Sequence, residues 1–145
     1  MQPNPSRPIH VLIVEDSDDA RDLYASYFRF MGYRVSEARD GLEALEGIPK
    51  LLPDVIVMDI NLPGLDGWEV TRRLRSVLES HAIPVIAVSG LSIPDGADRS
   101  REDGFSAFLA KPCLPKDLEA AALKALGQEG PPGRSSRRRE KQDPN

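Results

Sequence analysis

Cysteine is almost absent from this sequence. Cys113 stands alone, which excludes a disulfide framework and a cysteine metal cluster and fits a reducing cytoplasm. Long apolar runs are missing too. The longest, such as Val11 to Val14 and Val55 to Met58, have four residues, so no segment is expected to span a bilayer or to form a signal-peptide core. Hydrophobic side chains are absent from Gln128 to Asn145 and reduced to Met1 in Met1 to Pro8, while Pro3, Pro5, Pro8, Pro131, Pro132 and Pro144 fall in the same two ends. Such segments bury too little to offset chain entropy. Residues 1–8 and 128–145 are therefore expected as disordered tails around one domain, 9–127, and a chain of 145 residues is expected to hold no second folded module.

The formal net charge of −4 hides a division. Arg134, Arg137, Arg138, Arg139 and Lys141 outnumber Glu129, Glu140 and Asp143 in the C-terminal tail, and Arg7 also lies outside the core. The core is thus more acidic than the whole chain, a poor polyanion binder and a reasonable cation site. The basic tail has no aromatic residue interleaved and reads as a solvated linker, so nucleic acid is not the expected partner.

What remains is regular. Five β-branched apolar runs recur, at Ile9 to Val14, Arg34 to Ala38, Asp54 to Met58, Ile83 to Val88 and Ser106 to Ala110, each of strand length and bounded by turn or cap residues. Helical periodicity fills the gaps. Ala20, Leu23, Tyr24, Tyr27, Phe28 and Met31 share one face of a first helix, with Ser17 as N-cap and Gly32 as stop. Leu42, Leu45, Ile48 and Leu52 mark a second, which Pro49 should kink or end early. Val70, Leu74, Val77 and Leu78 mark a third, with Trp68 packing at its start, and Leu118, Ala121, Ala122, Ala125 and Leu126 mark the last. Between these two, Asp95 to Asp103 should form a short fourth helix with a weak apolar stripe around Ile93 and Ala97. Strict alternation of strand and helix predicts an α/β fold, a doubly wound (βα)5 flavodoxin-like sandwich whose five-stranded parallel sheet has the order 2-1-3-4-5. Sites in such folds form outside the carboxyl ends of the strands.

Those ends carry the chemistry. Strand one runs into Glu15 and Asp16, strand three into Asp59, strand four into Ser89 and strand five into Lys111 and Pro112. Three carboxylates drawn together repel one another, and a hard divalent cation with oxygen ligands relieves that repulsion. Mg2+ is the expected ion, because it takes few carboxylates and leaves room for phosphate oxygens. Lys111 and Ser89 suit a phosphoryl group, Glu15 and Asp16 suit the metal, and Asp59, ending the central strand, is the expected phosphoacceptor.

The same residues carry a family resemblance. Val11 to Asp16, Pro53 to Gly67, Val88-Ser89-Gly90 and Lys111-Pro112 together resemble the receiver domain of two-component response regulators, over Ile9 to Gly127. The resemblance implies that Asp59 takes a phosphoryl group from a phosphohistidine on a sensor histidine kinase or histidine phosphotransfer protein, with Ser89 and Lys111 as the other catalytic residues. It implies Mg2+ on Asp16, Asp59 and the Asn61 carbonyl, and on Glu15 through water, and a cis Lys111–Pro112 peptide. Phe108 stands at the position of an aromatic switch, working with Ser89. Lacking a hydroxyl, it can signal by packing alone. Output is expected through the face made by the fourth helix, fifth strand and fifth helix, in a monomer or a phosphorylation-dependent dimer.

Other readings of these residues are weaker. Asp59, Asn61 and Gly64 match an EF-hand loop, but Pro63 and Val70 break it. The acidic Glu15 to Asp19 loop would repel a flavin phosphate, and no Walker sequence is present. Nor is there a separate general acid-base near Asp59, as a phosphohydrolase would need. Two further readings stay open: the regulatory half of a longer DNA-binding regulator, and a carrier that hands its phosphoryl group to a histidine. His10 and His81 lack partner motifs, so the phosphodonor comes in trans. Cys113 is expected as a half-buried hydrophobe.

Overall fold

The computed structural model describes residues 7–76, 82–90 and 105–127. Five strands, β1 (His10–Val14), β2 (Arg34–Ala38), β3 (Val55–Asp59), β4 (Val85–Ser89) and β5 (Ala107–Ala110), alternate with helices α1 (Asp18–Phe30), α2 (Gly41–Leu51) and α3 (Gly67–Arg75), and α4 (Pro115–Ala125) follows β5. Asp95 to Asp103, expected as a short helix, lies outside the described residues, as do Val77, Leu78, His81, residues 1–6 of the N-terminal tail and the whole C-terminal tail. All strand pairs are parallel, in the order β2-β1-β3-β4-β5. The expected strand order and sandwich are present.

Continuous apolar runs form the three central strands because both faces of the sheet are covered. Leu12, Val14, Ile56, Met58, Val85 and Ala87 pack with Ala44 and Ile48 of α2 and Val70 and Leu74 of α3. Their alternates Val11, Ile13, Val55, Val57, Ile86 and Val88 pack with Tyr24 and Phe28 of α1 and Leu118 and Ala122 of α4. Each fully buried Ile or Leu contributes about 1.5–3 kcal/mol. Edge strand β2 is only partly covered, and its sequence is accordingly more polar.

Helix ends follow the local chemistry. The Ser17 hydroxyl accepts the Ala20 N–H and opens α1, and Gly32, at φ +98°, carries the chain out of it. Asp40 and Asp66 cap α2 and α3 through the N–H groups of Glu43 and Glu69. Two expectations fail here. Pro49 does not end α2 early: the helix runs on to Leu51, because a proline in the last turn removes a single backbone bond, and the Leu52 N–H still reaches the Ile48 carbonyl at 2.8 Å. The predicted apolar stripes are also too wide. Leu23, Met31, Leu42 and Leu52 are exposed, since each helix buries only the few residues that face the sheet, such as Tyr24, Ala25 and Phe28 in α1.

His10, which lacks a motif partner in the sequence, is buried at the amino end of β1. Its N–H donates to Asp54 Oδ2 at 2.7 Å, and its Nε2 lies 2.7 Å from Ser36 Oγ. Burial, reinforced by Arg34 and Arg7 against Asp54, holds the imidazole pKa below its usual 6.5. The folded state therefore favours neutral His10, so its stability is whole above that pH and declines as pH falls below it. Thermal melts should show Tm dropping as pH falls below about 6.5, and dropping less steeply in His10→Asn. Parallel slopes in the two proteins would exclude His10 as the cause.

Candidate functional site

The parallel register aligns the strand ends. Val14 pairs with Met58, Asp59 with Val88 and Ser89 with Ala110, so the last residues of β3 and β4 share one rim. Glu15 leaves β1 at the same rim, its N–H donating to the Ala38 carbonyl of β2 at 3.0 Å, and Lys111 follows β5 directly, its N–H donating to the Ser89 carbonyl at 2.7 Å. Single carboxylate oxygens of Glu15, Asp16 and Asp59 lie within 4.8 Å of one another, with Glu15 and Asp59 buried and Asp16 exposed.

Lys111 bridges the two buried acids. Its Nζ donates to Glu15 Oε1 at 3.0 Å and to Asp59 Oδ2 at 3.3 Å. The other oxygens are held by backbone, with the Ser17 N–H reaching Glu15 Oε2 at 3.1 Å and the Asn61 N–H reaching Asp59 Oδ1 at 3.0 Å. Burial pushes the Glu15 pKa up, against the Lys111 hydrogen bond. For Lys111, burial pulls downward but the two carboxylates outweigh it, so the ammonium is held above its ordinary pKa. Hard oxygen donors in this number, with one of them open to solvent, fit a divalent cation of the Mg2+ or Ca2+ kind. Glu15, Asp16 and Asp59 could hold it.

Ser89, buried at the end of β4, donates from its hydroxyl to Asn61 Oδ1 at 3.4 Å. The Lys111–Pro112 peptide is cis. Phe108 stands in an aromatic trio, 5.7 Å from Trp68 and 5.8 Å from Phe105 between ring centroids, with Trp68 and Phe105 5.1 Å apart. Cys113 is half-buried, its Sγ 3.8 Å from the Tyr24 hydroxyl.

Gly67 ends one of the quoted motifs, but nothing in the sequence assigns it a role of its own. A Cβ there would lie 2.8 Å from Ile60 Cα and 2.9 Å from the Asp59 carbonyl, so α3 packs directly on the backbone that carries Asp59. Glycine as the first residue of a helix was the available signal. Gly67→Ala should cost about 1–3 kcal/mol, read as a lower denaturant midpoint; an unchanged midpoint would contradict this close approach.

A parallel α/β sandwich with an acidic rim bridged by one lysine defines a CheY-like domain. The model of the response regulator receiver domain matches residues 11–123, and the chain belongs to that family. It is a signalling domain of two-component systems. Polar-differentiation response regulator DivK of Brucella anthropi is 38% identical over 113 residues, which cover 77% of this chain and 92% of the relative. Among solved structures, chemotaxis protein CheY4 of Vibrio cholerae superposes with a TM-score of 0.76 at 28% identity, covering 81% of this chain and 98% of that one. The receiver domain of a sensor histidine kinase from Pseudomonas aeruginosa, described with a magnesium ion coordinated in its active-site cleft, gives 0.74 at 28% identity, covering 83% and 98%. No helix among the described residues is long and apolar enough to cross a membrane.

Proposed function

We propose that residues 9–127 act as a phosphoacceptor: Asp59 takes a phosphoryl group from a phosphohistidine on a sensor kinase or phosphotransfer protein, and the phosphorylated domain binds a downstream protein. The observation that carries this reading is the Lys111 ammonium between Glu15 and Asp59 at the open rim of the sheet. An Asp59 oxygen attacks phosphorus, the new P–O bond forms as the P–N bond to the donor histidine breaks, and the departing imidazole nitrogen keeps the electron pair. Anion meets anion in that step, so positioning and charge neutralisation govern it.

Each residue then has a task. Asp16, Asp59 and the Asn61 carbonyl would hold Mg2+, with Glu15 doing so through water, and the ion would supply charge neutralisation at the phosphoryl oxygens. Lys111 pairs with one phosphoryl oxygen, and Ser89 donates its hydroxyl to another. The turn of Ser89 toward the phosphoryl group frees space that Phe108 fills, and its movement reaches the output face by packing. That the magnesium-bound kinase receiver shares this fold supports the choice of ion. The test is labelling by radioactive acetyl phosphate: incorporation in Mg2+ and none in EDTA is expected, and the absence of label in Mg2+ overturns the reading.

A further inference from the structure

The geometry points to Arg21 as a positioning residue for the metal-binding loop, an inference that rests on the Mg2+-dependent reading above. Arg21 lies on the first turns of α1 and is largely buried, its side chain only 11% exposed. Its guanidinium reaches the loop after β1, strand β2 and the start of its own helix. Nη1 donates to the Glu15 carbonyl at 2.8 Å, Nε to Glu37 Oε1 of β2 at 3.3 Å, and Nη2 to the Asp18 carboxylate. The backbone of Glu15 is thereby held on both sides of its Cα, the N–H by the Ala38 carbonyl and the C=O by Arg21. The Glu15 and Asp16 side chains leave the chain on either side of that carbonyl, so fixing it fixes where their carboxylates meet Asp59.

Only arginine suits the task. Its planar fork donates in several fixed directions at once, whereas a lysine has a single nitrogen. The sign of the effect separates positioning from charge. A guanidinium near a cation site repels Mg2+, so if Arg21 acted by charge alone, its removal would tighten metal binding. If it acts by holding the Glu15 peptide, its removal must weaken binding.

Arg29 supplies the control, since it lies on the same helix and pairs with the same Glu37, through Oε2 at 3.0 Å, but its side chain is about half exposed. Mg2+ titrations by calorimetry should give Arg21→Gln and Arg21→Lys about tenfold weaker affinity than wild type, the low end of what outer-shell support of a metal contributes. Arg29→Gln, which removes the same charge and an exposed ion pair, should stay within about twofold of wild type or bind tighter. Equal or tighter binding in Arg21→Gln, full affinity in Arg21→Lys, or an equal loss in Arg29→Gln each overturns the inference. Should Arg21→Gln fail to fold by circular dichroism, Arg21→Lys, which keeps the charge and most of the volume, carries the test. Wild type that takes no Mg2+ overturns the proposed function, and this inference with it. Wild type that binds and labels beside Arg21 variants that bind equally well overturns this inference alone.

Discussion

Asp59→Asn should reduce labelling by acetyl phosphate in Mg2+ to background. The amide has nearly the shape of the carboxylate and can still accept the Asn61 N–H bond made by Asp59 Oδ1, but it is not a nucleophile. Loss of label should not come from loss of fold. Three carboxylate oxygens within 4.8 Å repel by about 3.5 kcal/mol or more per ionised pair at an effective dielectric of about 20. Removing one charge relieves part of that repulsion, and Lys111 keeps Glu15 as a partner at 3.0 Å. In the absence of metal the variant should melt at or above the wild-type Tm. Label retained by a folded Asp59→Asn protein would move the phosphoacceptor elsewhere.

Lys111→Ala should separate two properties. The variant loses a positive charge beside the acidic cluster, so Mg2+ affinity should hold or rise in a calorimetric titration. Labelling should slow on the order of 10²–10³-fold, the cost of removing one preorganised group from developing negative charge. Loss of metal affinity with an unchanged labelling rate would contradict both halves. Stability should also become more pH-dependent. Burial already raises the Glu15 pKa above its ordinary 4.5, and without the ammonium it rises further. A carboxyl whose folded pKa is raised contributes stability below the unfolded value and loses it as pH climbs through the folded one. Metal-free Lys111→Ala should therefore lose more Tm than wild type between about pH 4.5 and pH 7.

The strands and their rim residues were readable in the sequence because sheet burial is a local signal. A strand covered on both faces must be apolar without interruption, as Val55 to Met58 is, and the residue that ends it is conspicuous when charged, as Asp59 is. Helix faces were less readable. Periodicity identifies Leu23 and Leu42 as apolar and in phase, but whether the sheet covers them depends on where each helix rests, and both are exposed. Least readable were polar groups whose partners are remote in the chain. Nothing in the sequence singles out Glu119 of α4, yet it is buried and accepts from the hydroxyls of Tyr27 and Tyr33, 92 and 86 residues away. Arg21 could be paired with Asp18 by helical spacing, but its bond to Glu37 depends on the register that sets Glu37 beside Ile13, which the strand order alone does not supply.

The aromatic trio has an optical consequence. The chain contains a single tryptophan, and its indole is one of the two rings packed against Phe108. Light absorbed at the red edge of the protein spectrum is therefore re-emitted from one place, beside the ring at the switch position. Whatever displaces Phe108 changes the emission of Trp68 directly, and the molecule carries its own probe of that contact without a dye or an added label.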